Sequence, residues 1–104
     1  MDMHPYGCDG YMSIYMTFRP EIAHTYWGAI EKGDLTAAAG VIRDYDMPLV
    51  DHLYSAYPAG GDAAQHALLE LAGICGRWRR KPLPDLTDAD MTKLKAFLQS
   101  HSLM

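Results

Sequence analysis

The segment Gly10 to Met16, G-Y-M-S-I-Y-M, is the only stretch of this sequence that alternates like a β-strand. Its alternation sets Tyr11, Ser13 and Tyr15 on one face and Met12, Ile14 and Met16 on the other. Gly7 and Gly10 bound it on the N-terminal side. A lone strand cannot satisfy its own backbone N–H and C=O groups, so it needs partners that the rest of the sequence does not obviously supply. This constraint is severe because everything after it reads as helix.

Pro20 suits the first turn of a helix and Glu21 suits the positive end of its dipole. Ile22, Tyr26 and Ile30 recur at helical spacing with Ala23 and Trp27 alongside, which predicts a helix over 20–32 stopped at Gly33. Asp34 is a good N-cap for a second helix over 35–57. Its stripe is Leu35, Ala38, Ala39, Ile42, Tyr45, Leu49, Leu53 and Tyr57, with a kink or break expected at Pro48. A third helix over 63–75 is expected, capped by Asp62, carrying Ala64, Ala67, Leu68, Leu71, Ala72 and Cys75, and stopped at Gly76. The loop R-W-R-R-K-P-L-P-D-L contains prolines that exclude helix. Thr87 and Asp90 have capping-box spacing, which opens a fourth helix over 88–100 with Met91, Leu94, Phe97 and Leu98 inward. The expected fold class is therefore mainly α: one short N-terminal strand followed by about four helices. That order looks like one unit of an α/β array with a helical region appended.

With 104 residues the chain is expected to form one domain, and its ordinary apolar and charged content excludes a disordered segment. The net charge of −4 argues against general attraction to nucleic acid or acidic membrane. No apolar run approaches a membrane span, and Met1 to Pro5 lack a signal-peptide plan. Cys8 and Cys75 read as reduced, buried thiols rather than a disulfide framework, so the cytoplasm is the expected location.

The segment Gly7-Cys8-Asp9-Gly10-Tyr11-Met12-Ser13 resembles the last barrel strand of the dihydrodipicolinate synthase / N-acetylneuraminate lyase family, which opens with glycines and carries a Ser at this place. Phe18-Arg19-Pro20-Glu21-Ile22-Ala23 resembles the start of the helix that follows. Gly33-Asp34 with Ala37 or Ala38 resembles the family's G-D-x-x-x-A turn. Gly73 followed by Arg80-Lys81-Pro82-Leu83 is similar to its G…R-x-P-L stretch, and Thr87 to Leu103 resembles its closing helix. The F-x-P-E-x-A segment leans toward the branch that contains 5-dehydro-4-deoxyglucarate dehydratase. Thr17 departs from the pattern, since members commonly carry Asn there.

The resemblance implies the last βα unit and C-terminal helical region of a (β/α)8 barrel. It implies class I aldolase or dehydratase chemistry on 2-keto acids, in which a strand lysine forms a Schiff base and a tyrosine from an earlier strand relays protons. Such a lysine must be deprotonated, which demands a desolvated pocket or cationic neighbours. Lys32, Lys81, Lys93 and Lys95 do not match it, and surface ion pairing is the expected role for all of them. No catalytic residue and no cofactor is therefore assigned to this chain, and a 2-keto acid is expected as substrate of the parent enzyme only. Because barrel active sites form at the C-terminal ends of strands, Tyr15, Thr17 and Phe18 are the candidates for the substrate mouth. Tyr11 and Ser13 would point inward, with core filling as the alternative for Tyr11 and Tyr15. Arg80 and Pro82 are expected to brace the loop before the last helix.

His4, His24, His52, His66 and His101 lack metal-site spacing, and no metal ligand set is assigned. Ser13 lacks the context of a hydrolase nucleophile. A barrel fragment exposes surface meant for its neighbours, so the expected partners are another copy or the remaining barrel portion. The alternative function is a non-enzymatic helical module that binds another copy or a protein partner through the surfaces around Tyr26, Trp27, Tyr54 and Tyr57. Arg77-Trp78-Arg79-Arg80-Lys81 is the one feature that could suit a nucleic-acid backbone or stacked base, but it is a small patch in an acidic chain. Filter binding of single-stranded RNA is expected to show no retention even at low salt, where phosphate contacts are strongest; salt-sensitive retention would reverse that reading.

Overall fold

A computed structural model describes residues 4–104 and is mainly helical. The chain divides into two compact units, one running to Met47 and the other from Pro48 to Met104.

In the first unit a short 3₁₀ turn, His4–Tyr6, leads into irregular backbone and then α1 (Tyr15–Phe18), α2 (Pro20–Glu31) and α3 (Leu35–Val41). A π-helical turn follows at Ile42–Asp46. No strand is present among the described residues, which corrects the expectation for 10–16. The reason is local. Without a neighbouring strand, the Tyr15 N–H turns to the Ser13 hydroxyl at 3.1 Å, and the Met16 N–H bonds the Ser13 carbonyl at 3.2 Å. Those bonds begin a helical turn and remove the alternation: Met12 is almost wholly exposed while Tyr15 is fully buried. Helix α2 starts with Pro20 in its first turn, ends before Gly33 at φ 74°, and buries Ile22, Ala23, Tyr26, Ala29 and Ile30. It packs on α1 and α3. Asp34 caps α3 by accepting from the Ala37 N–H at 3.1 Å.

In the second unit α4 (Met47–Ser55, shared at its first residue with the boundary), α5 (Gly61–Leu71) and α6 (Asp88–Ser100) supply the helices. The run expected as one kinked helix over 35–57 is thus divided into α3, the π turn and α4. The division precedes Pro48 rather than falling on it. The Met47 N–H reaches back five residues to the Ile42 carbonyl. Pro48, which has no N–H to give, then falls in the first turn of α4, where none is required. Helices α5 and α6 pack together. Their buried residues are Ala63, Ala64, Ala67 and Leu68 from α5 and Met91, Leu94 and Leu98 from α6.

Helix α5 is punctuated differently from expectation. Gly60, at φ 94° and ψ 171°, precedes it instead of an Asp62 cap, and Asp62 lies within its first turn. Gly73, at φ 77°, ends it in place of Gly76. The Gly60 backbone lies in a region open essentially to glycine alone. Thr87 accepts from the Asp90 N–H at 3.2 Å and opens α6 as its spacing indicates. Both cysteines are exposed free thiols, not buried ones. Replacing Gly60 by Ala forces a side chain into that backbone region. Gly60→Ala is expected to lower stability by about 1–3 kcal/mol, read from denaturant unfolding. An unchanged midpoint would mean that the turn relaxes freely.

Candidate functional site

The expected mouth residues occupy α1, which packs on α2 in the first unit. Tyr15 is fully buried, and its hydroxyl donates to the Tyr45 carbonyl at 2.6 Å. Its ring stacks on Phe18, with centroids 5.3 Å apart, and meets the Tyr45 ring edge-on at 6.4 Å. Helical spacing explains the pairing, because residues three apart share a face. Burial, then the neighbouring Asp46 carboxylate and Tyr45, push the Tyr15 phenol far above its usual range. It is a neutral donor already committed to a carbonyl. Burial likewise raises the Asp46 carboxyl. Thr17 is exposed, and its hydroxyl donates to the Ile14 carbonyl at 2.6 Å, within its own turn. The structure therefore brings Tyr15 and Phe18 together with Tyr45 and leaves Thr17 outside the cluster.

Tyr11 docks beside this group on α2. Its hydroxyl donates to the Ala23 carbonyl at 3.0 Å, and its ring lies against Tyr26 at 4.8 Å and Trp27 at 5.6 Å. Burial is the main cause of its raised phenol pKa. Arg19 and Glu21 form an ion pair at the start of α2, and the Arg19 hydrogen bond holds the Glu21 carboxyl below its usual range.

In the second unit the basic loop is anchored by Arg77 rather than by Arg80. Arg77 is buried. It reaches Glu70 on α5 at 3.4 Å, pairs with Asp88 at the start of α6, and lies over the Trp78 ring at 4.4 Å. The Arg77 N–H also donates to Glu70 at 3.2 Å, while its Nε is buried without a hydrogen-bond partner. The Arg79 N–H donates to Asp85 at 2.8 Å and its guanidinium to the Pro84 carbonyl. Lys81 stands 4.0 Å from Asp85. Arg80 is exposed, its carbonyl accepts from the Leu83 N–H at 3.0 Å, and the Lys81–Pro82 peptide is cis. Most of the cations that made this stretch a phosphate-binding candidate thus hold the loop itself.

A third cluster has little signature in the sequence. The His52 ring, on α4, stacks flat on Phe97 of α6, with centroids 3.8 Å apart and planes at 4°. His52 Nε2 lies 2.7 Å from the Tyr57 hydroxyl. Tyr57 is buried; burial, then Asp90, push its phenol up to about 12, so it stays protonated at neutral pH. Lys93 lies over the Tyr57 ring and donates to the Ala56 carbonyl at 3.0 Å. His101 rests against Phe97 at 4.2 Å. The one local signal is Phe97 and His101, a helical turn apart; the link to His52 spans nearly half the chain. Of the aromatics proposed to form a self-association surface, Tyr26 and Tyr57 are buried, whereas Tyr54 is exposed.

All of the lysines are exposed. Among the described residues no group of three or more His, Cys, Asp or Glu side chains could hold a metal ion, and no helix is long and apolar enough to cross a membrane.

Over 92 residues the chain is 32% identical to a probable 5-dehydro-4-deoxyglucarate dehydratase 2 of Streptomyces coelicolor. That match covers 88% of this chain and 28% of the relative. Over 91 residues it is 29% identical to a probable 5-dehydro-4-deoxyglucarate dehydratase of Cereibacter sphaeroides, with 88% of this chain and 30% of that protein covered. The chain therefore spans less than a third of the length of these relatives, and the similarity lies in their C-terminal part. No family model matches the chain. No solved structure matches it either.

The Tyr15 hydroxyl bond generates a direct test. Tyr15→Phe keeps the ring and leaves the Tyr45 carbonyl without this donor. A loss of about 1 kcal/mol is expected in denaturant unfolding. A variant as stable as the parent would show that the bond contributes nothing net.

Proposed function

We propose that this chain is the C-terminal segment of a keto-acid lyase of the dihydrodipicolinate synthase / N-acetylneuraminate lyase type, on the dehydratase side of that family. The carrying observation is the similarity of 88% of the chain to only 28% of a dehydratase-named relative. The helical architecture from Pro20 onward supports it. In this reading the segment corresponds to the last βα unit of a (β/α)8 barrel and the helices appended to it. Residues 10–16 take the extended form only where neighbouring strands offer ladder bonds, and Tyr15, Thr17 and Phe18 then turn toward the mouth. The natural partner is the remaining barrel portion or another copy, and the location is the cytoplasm.

The Schiff-base lysine of such an enzyme is not among these residues. A lysine that attacks a keto carbon at neutral pH needs burial or cationic neighbours to lose its proton. Lys32, Lys81, Lys93 and Lys95 are all solvent-exposed, and Lys93 is hydrogen-bonded to a backbone carbonyl. On this reading the chain alone is silent in Schiff-base catalysis.

Trapping tests this. The chain is incubated with pyruvate, reduced with borohydride and weighed by intact mass spectrometry. The unmodified mass is expected. A stoichiometric pyruvyl adduct on any of the four lysines would overturn the assignment of silence.

A further inference from the structure

We propose that His52 is a pH-sensitive clasp between α4 and α6, closed when its imidazole is neutral and released when the ring takes up a proton. Three contacts define the closed state. The ring lies flat on Phe97 at 3.8 Å, Nε2 lies 2.7 Å from the Tyr57 hydroxyl, and Lys93 of α6 ties down the adjoining turn through the Ala56 carbonyl. The clasp assigns His52 the tautomer with its proton on Nδ1, so that Nε2 accepts and the Tyr57 hydroxyl donates. A neutral imidazole accepts at one nitrogen, but an imidazolium donates at both. Protonation of His52 therefore sets a donor against the donor of a buried phenol, whose proton must then find another acceptor.

The charges around the ring oppose protonation. From α6, Lys93 and His101 both act on His52, and His101 touches the same Phe97 ring. From the turn after α4 the facing group is the neutral Tyr57 hydroxyl, with Asp90 acting on Tyr57 rather than on His52. On its own helix, Asp51 is adjacent in the chain and exposed. Stacking on Phe97 tolerates a cation, so the discrimination lies with Tyr57 and the two basic neighbours. In support, burial first, then Lys93 and His101, hold the His52 imidazole below its usual value of 6.5. The sign follows. The open form binds the proton that the closed form resists, so clasp stability is complete above 6.5 and is lost as pH falls through that value toward the lower, folded one.

Hydrogen exchange by mass spectrometry on the intact chain tests the clasp, at about pH 7.5 and about pH 5.5, on either side of the imidazole range. After correction for intrinsic rates, peptides covering the end of α4 and the second half of α6 are expected to lose protection at least about threefold at the lower pH, while α2 peptides keep theirs. His52→Phe preserves a ring against Phe97 and removes the titration, so its protection is expected to be independent of pH. Unchanged protection in the parent chain, or the same loss in His52→Phe, would overturn the proposal. If His52→Phe is unfolded by circular dichroism, the NMR titration of the His52 ring in the parent chain decides. A midpoint below 6.5 with Tyr57 ring signals moving in step supports the clasp, and a midpoint at or above 6.5 overturns it.

Discussion

A phenol buried without a partner for its hydroxyl costs roughly 1–3 kcal/mol, and Tyr15 avoids that cost through one bond to the Tyr45 carbonyl. The first unit is arranged around that bond. Tyr15 can reach Tyr45 because the chain turns helical at Ser13, and α1 then presents Phe18 on the same side. The acceptor belongs to the π turn that separates α3 from Pro48. The short first helix and the irregular turn before α4 are thus joined through this donor–acceptor pair.

Arg77 plays the corresponding part in the second unit. A guanidinium is buried only where carboxylates compensate for lost water, and Glu70 and Asp88 come from the helices on either side of the loop. The loop is therefore fixed by its own charges. The same contacts remove most of its appeal as a surface for phosphate, because Arg77 is engaged by the flanking helices and Arg79 by the loop backbone.

Several helix ends were legible where the cap was encoded within one turn, although both ends of α5 were not. Asp34 with Ala37, Thr87 with Asp90, Pro20 and Gly33 all act where their spacing places them. Reading failed where the deciding partner lay elsewhere. Alternation over 10–16 is a strand signal only if another strand is present, and Ser13 captures the Tyr15 N–H instead. The resemblance offered Arg80 as the bracing arginine, and the structure shows Arg77 anchored through residues seven and eleven positions away. The His52 cluster joins residues from α4, the following turn and α6, so no local window contains it.

On the proposed reading, this helical segment, whose counterpart is under a third of two dehydratase-named relatives, belongs to a larger lyase. On the same reading, its aromatic N-terminal turn, closed on Tyr45 here, is where neighbouring barrel strands would act. Sequencing the DNA upstream of the Met1 codon tests the lyase assignment most directly. The expected result is an open frame encoding further strand–helix units with a lysine on one strand. A stop codon followed by a ribosome-binding site immediately before Met1 would contradict it.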